Sequence, residues 1–246
     1  METHKNSSSN NNMKFIVALI LGAGVTACSS SLTVKLTASQ QTVELSSGTD
    51  PAMDSLIAPY SRAMHAEFSQ VIGQASTELL TNRTSMTLGF WICDKLMQHA
   101  REQAIQTGEP LVSIINYGGL RADIPVGDIT VGTVYKVMPF DNYISYLKLS
   151  ADKWTEIEAY MKARGGEPIG GFRIEKGKLV LPEQLKTAPY FWVVTSDFLA
   201  NGGDKMTFFE KPLERIDTPE LFRDFILQTV KKDKTISFSD KERITW

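Results

Sequence analysis

The stretch Leu111-Val112-Ser113-Ile114-Ile115-Asn116-Tyr117-Gly118-Gly119-Leu120-Arg121 decides the fold class. Its first five positions are nearly all apolar, without the alternation of a strand that has one wet face. They therefore read as a strand covered on both sides. The run stops at Gly118-Gly119, where a side-chain-free backbone turns sharply and leaves room for a close approach. A strand buried on both faces needs a layer of other elements on each, and helical patterns stand on either side of this one in the chain.

Upstream, Met53, Leu56, Ile57, Tyr60, Met64, Phe68 and Val71 recur at helical spacing, so residues 50–72 read as an amphipathic helix with Asp50 as cap and Pro51 in its first turn. A second helix is predicted over 86–106 through Leu88, Ile92, Cys93, Leu96, Met97, Ala100 and Ala104, stopping near Gly108. Downstream, 143–149 reads as a strand. Ser150 caps a helix through Arg164 that carries Trp154, Ile157 and Met161 on one face, and Gly165-Gly166 stop it. Residues 172–181 resemble a hairpin split at Lys176-Gly177, 190–195 is another apolar strand, and 219–232 reads as a closing helix. The expected fold is α/β (α+β): one mixed-sheet domain with interleaved helices over 51–246.

The 246 residues suit one ordinary domain plus a tail, and a net charge of −2 argues against an electrostatic grip on a nucleic acid polymer. Cys28 and Cys93 belong to no zinc-ligand spacing. Cys93 lies in an apolar stretch and reads as a buried thiol.

Residues 1–28 read as a leader. Met13-Lys14 precedes an apolar run too short for a comfortable membrane span, and Val25-Thr26-Ala27-Cys28 resembles a bacterial lipobox whose cysteine is lipidated after cleavage. The preceding polar residues 1–12 leave the start codon open between Met1 and Met13. Residues 29–50, rich in Ser, Thr and Gln, read as a tether. The expected location is the bacterial cell envelope, lipid-anchored through Cys28 and facing the periplasm.

Chemistry concentrates where strands end. Asn116 and Arg121 flank the first Gly-Gly turn, and Arg121 offers a planar fork to phosphate, carboxylate or sugar oxygens. In Met138-Pro139-Phe140-Asp141-Asn142, the proline presets the backbone before an aromatic ring. In Phe198-Leu199-Ala200-Asn201-Gly202-Gly203-Asp204, a second aromatic precedes another Gly-Gly turn that delivers a carboxylate, an acceptor suited to paired hydroxyls. Each has a bland alternative: a surface Arg, a core Phe, an Asp capping backbone amides. Together they form a constellation able to stack a planar ring and hold a ribose.

With Ile124-Pro-Val-Gly-Asp-Ile129 between them, these motifs make residues 51–232 resemble the C-terminal domain of 5′-nucleotidases. The resemblance implies that Phe140 and Phe198 take a nucleoside base between them and that Asp204, carried by Gly202-Gly203, holds ribose hydroxyls. Asn116 and Arg121 match the family's motif Asn and Arg. Arg83 is the nearest match to a further family arginine, although its spacing to Gly89 is slightly off. The family's metallophosphoesterase motifs are absent from the sequence, whose three histidines are His4, His65 and His99.

The resemblance therefore implies no catalytic or metal-ligating residue and no cofactor in this chain, which is not expected to hydrolyse anything alone. It implies a nucleoside or nucleoside monophosphate as ligand, a separately encoded metallophosphoesterase chain holding divalent metals, and membrane attachment through the N-terminal lipid. The alternative is a non-catalytic lipoprotein that captures nucleosides or nucleotides for uptake or sensing. A third reading, an interaction module that has lost its ligand, is disfavoured by the presence of Phe140, Phe198 and Asp204 together.

Overall fold

The computed structural model describes residues 50–103, 108–240 and 242–246. The leader, Cys28 and most of the tether lie outside the described residues. The elements run α1 (Pro51–Phe68), β1 (Val71–Ala75), α2 (Thr87–Glu102), β2 (Leu111–Ile114), β3 (Gly127–Thr130), α3 (Val131–Val137), β4 (Tyr143–Ser150), α4 (Lys153–Arg164) and β5 (Ile169–Gly170). There follow β6 (Arg173–Glu175), β7 (Lys178–Val180), α5 (Glu183–Thr187), β8 (Tyr190–Ser196), α6 (Asp197–Ala200), β9 (Glu214–Leu221), α7 (Phe222–Asp233) and β10 (Thr235–Ile236). This is a mixed α/β fold.

The main sheet has five strands in the order β5-β2-β8-β4-β9, with β2 and β8 parallel and every other pair antiparallel. Its apolar runs follow from burial on both faces. On β8, Trp192 and Val194 join one core cluster with Leu88, Ile92 and Leu96 of α2 and Phe222, Phe225 and Ile226 of α7. Phe191 and Val193 join the other, with Trp154, Ile157 and Met161 of α4. A three-stranded sheet, β10-β1-β3, and the β6-β7 hairpin complete the body. The hairpin turns where expected, on Lys176 and Gly177, both at positive φ.

Several expectations are revised. The first helix ends at Phe68 and a strand, β1, starts at Val71, where the apolar spacing read as continuing helix. Ser150 is the last residue of β4, and α4 begins at Lys153. The closing helix begins at Phe222, because residues 214–221 pair antiparallel with β4. Pro219 is tolerated there because β9 lies at the sheet edge, where a missing N–H breaks no ladder. Cys93 is fully buried, as expected, and burial pushes its thiol pKa up to about 12, which leaves it protonated.

The chain ends in a clasp. The Arg243 guanidinium is buried, donating to Asp94 at 2.8 and 3.0 Å, to the Ile169 carbonyl at 3.0 Å and to Asp240 at 3.2 Å. It also lies 5.1 and 5.3 Å from the ring centroids of Phe90 and Phe238. Burial raises the Asp240 pKa, but hydrogen bonds from Arg173 and Arg243 outweigh it and hold the carboxyl below its ordinary range.

Arg243→Met should lower stability in urea unfolding by about 2 kcal/mol, less than the full cost of breaking a buried ion pair because water still reaches the two carboxylates. A carboxyl with a depressed folded-state pKa stabilises above its unfolded value and loses that contribution as pH falls through the folded one. The gap between the two proteins should therefore narrow below about pH 4.

Candidate functional site

The sheet register gathers the three motif loops. Because β2 and β8 are parallel, the segments that follow them, 116–121 and 197–204, leave the sheet at the same end. Because β4 runs antiparallel to β8, with Ile144 opposite Ser196, the segment before β4 arrives at that end too. Open α/β sheets present ligands at this edge, outside the carboxyl ends of parallel strands.

A cleft of about 300 Å³ is found there, lined by Asn116, Gly118, Gly119, Arg121, Phe140, Asn142, Phe198 and Asp204. Phe140 and Phe198 are 41% and 44% exposed, so neither ring is a core plug. Asn116 Nδ2 donates to Asp204 Oδ2 at 2.6 Å, joining the first loop to the last. The Arg121 guanidinium has no hydrogen-bond or ion-pair partner among the described residues, and its backbone N–H donates to the Val137 carbonyl at 2.8 Å. That bond ties the first loop to the second.

Of the residues expected at a site, the structure brings Asn116, Arg121, Phe140, Phe198 and Asp204 together. Gly202 and Gly203 do not line the cleft. They shape its rim: Gly202 has φ 81°, and a Cβ on Gly203 would stand 2.5 Å from the Phe198 ring and 2.6 Å from its carbonyl oxygen. Asp204 itself is left-handed, with φ 52°, and the Tyr160 hydroxyl donates to its carbonyl at 3.0 Å. Arg83 is not in the cleft. Its Nη1 donates to the carbonyls of Arg164 and Gly166 at 2.9 and 2.7 Å, and its guanidinium stacks 4.5 Å from the Tyr117 ring centroid.

Two supports carried no sequence signal. Glu167 is fully buried behind the first loop and accepts the Tyr117 amide at 2.5 Å, with Arg164 and Arg83 at 3.5 and 3.7 Å from its other oxygen. Burial pushes its carboxyl above the ordinary range against the opposing pull of that amide and both arginines. Arg223, also buried, donates to the carbonyls of Met138 and Phe140 and to Asp141 Oδ1, which fastens the second loop to α7. Asn142, a motif residue given no role by the sequence, lines the cleft. Among the described residues, no group of three or more His, Cys, Asp or Glu side chains is arranged to hold a metal ion.

The comparisons with known proteins bear on this cleft. Residues 71–157 match the family 5′-nucleotidase, C-terminal domain. That match contains the Asn116 and Phe140 loops and stops before Phe198. The crystal structure of a 5′-nucleotidase precursor from Thermus thermophilus superposes with a TM-score of 0.64 at 26% identity, covering 78% of this chain and 42% of that one. Silent protein UshA(0) of Salmonella typhimurium is 26% identical over 212 residues, 80% of this chain and 38% of its own length. An apyrase of Anopheles gambiae is 29% identical over 196 residues, 69% of this chain and 33% of its own length. The chain thus spans less than two fifths of the length of these curated relatives. The resemblance read from the four motifs is borne out for the family and for the fold.

Gly203→Ala should push the Phe198 ring out of place, because the new methyl meets both ring and backbone. A loss of about 1–3 kcal/mol in thermal or urea unfolding is expected, with shifted ring resonances for Phe198.

Proposed function

We propose that this chain is the nucleotide-recognition half of an exported 5′-nucleotidase. The base lies between Phe140 and Phe198, Asp204 accepts from ribose hydroxyls, and Asn116 and Arg121 complete the polar contacts. The phosphate is then presented to the metals of a separately encoded metallophosphoesterase chain. The observation that carries this reading is the convergence of the five expected site residues, Asn116, Arg121, Phe140, Phe198 and Asp204, from three separate loops on one cleft with two exposed aromatic rings.

The chemistry supports the division of labour. A stacked base contributes about 1–3 kcal/mol per aromatic contact, so two contacts with one charge-assisted hydrogen bond supply a large share of the roughly 8 kcal/mol that micromolar binding requires. Recognition of this kind accelerates a reaction by holding the substrate in place, an advantage of proximity. Metal-activated water would come from the partner. The lipobox-like sequence at Cys28 supports attachment to the cell envelope on its periplasmic side, where nucleotide catabolism would serve uptake of the nucleoside.

Titration of the purified body, residues 51–246, with adenosine and AMP tests the reading. Saturable binding is expected, with Phe198→Ala weakening it by about 1–3 kcal/mol. Mixed with AMP and a divalent metal, the pure chain should release no phosphate. Release that tracks with the protein, or an affinity indifferent to Phe198, would overturn the proposal.

A further inference from the structure

Phe140 and Phe198 belong to different segments, and a stacking gap is useful only if both rings are held at a fixed separation. The Phe140 segment is fastened to α7 by Arg223 and by the Phe222 amide, which donates to the Asn142 carbonyl at 2.8 Å. The Phe198 segment is the short helix α6. The β4-β8 ladder reaches Ile144 opposite Ser196 and goes no further, because the chain turns into α6 at Asp197. The Asp197 carbonyl is then engaged within the turn, accepting from the Asn201 amide at 3.0 Å.

Its side chain takes over the missing rung. Asp197 Oδ1 accepts the backbone N–H of Tyr143 at 2.9 Å and that of Phe198 at 2.8 Å. One carboxylate oxygen thereby joins the first residue of β4, three positions after Phe140, to the residue bearing the second ring. Asp197 does not itself line the cleft.

We propose that Asp197 is a positioning residue that sets the spacing of the Phe140 and Phe198 rings by stapling their segments together. The proposal rests on the reading that the two rings clamp a base, and its consequence is selectivity for ligands that carry a flat ring. Loss of the staple frees the gap and leaves the polar groups of the cleft, Asn116, Arg121 and Asp204, where they are.

The experiment uses Asp197→Ala and Asp197→Asn, the second of which retains an oxygen able to accept both amides. Adenosine affinity should fall about tenfold in Asp197→Ala, the scale of one hydrogen bond to a charged group, and return close to the parent value in Asp197→Asn. Affinity for ribose 5-phosphate, which has no flat aromatic ring to stack, should be unchanged in both.

In parallel, 4-fluorophenylalanine placed singly at 140 or 198 is observed by fluorine NMR in the ligand-free proteins. Both labels should shift in Asp197→Ala and neither in Asp197→Asn. Should Asp197→Ala not fold, Asp197→Glu, which displaces the carboxylate by one methylene, is examined for the same pair of shifts. A change confined to the label at 198, or an equal loss of adenosine and ribose 5-phosphate binding, overturns the proposal. A parent protein that binds no adenosine defeats the nucleoside reading alone, since the fluorine measurement needs no ligand.

Discussion

The pairing of three strands, β2 parallel to β8 and β4 antiparallel to it, is the constraint on which the rest of the molecule depends. It alone brings the ends of two strands and the beginning of a third to one edge of the sheet. Had β4 paired with β8 in the parallel sense, Phe140 would stand at the far end, a strand's length from Phe198 and Asp204. The pairing is held by largely apolar strands, whose alternate side chains fill two separate cores. A slip of one residue would exchange those faces, so the register is strongly specified.

Around that edge the fold spends buried polar groups on the loops. Glu167 and Arg223 are both buried, and each is directed at main-chain groups of a cleft segment. Burial of an ionisable group is unfavourable unless it is compensated by partners. For Glu167 the compensation is partial: one oxygen accepts the Tyr117 amide, and the other has no hydrogen-bond partner among the described residues. Such groups are retained where a loop must hold one geometry. The Asn116–Asp204 hydrogen bond and the Tyr160 contact to the Asp204 carbonyl serve the same end at the left-handed turn.

Much of this architecture was legible beforehand. The strands at 111–114, 143–150 and 190–196 declare themselves as short, largely apolar runs, and α2 and α4 by their period. The differences have separate causes. β9 alternates weakly, with charged residues at an exposed edge, and its Pro219 mimics a helix start. β1, β3 and α3 are too short for any periodicity to emerge from the sequence. Arg83 is named only as the nearest match to a family arginine, and that match does not report that carbonyls at the C-terminal end of α4 and just beyond it occupy its guanidinium.

The residue types at the cleft and the loops that bear them were determined by local sequence, because glycine pairs, a proline and solvent-exposed aromatics express their preferences within a few residues. What only the tertiary structure decided was which long-range partners hold those loops: Asp197 for Tyr143, Glu167 for Tyr117, Arg223 for the Phe140 segment. Each is a single charged side chain that meets a main-chain group far away in sequence. Its role comes from the strand pairing that sets their separation, and no spacing along the chain encodes it.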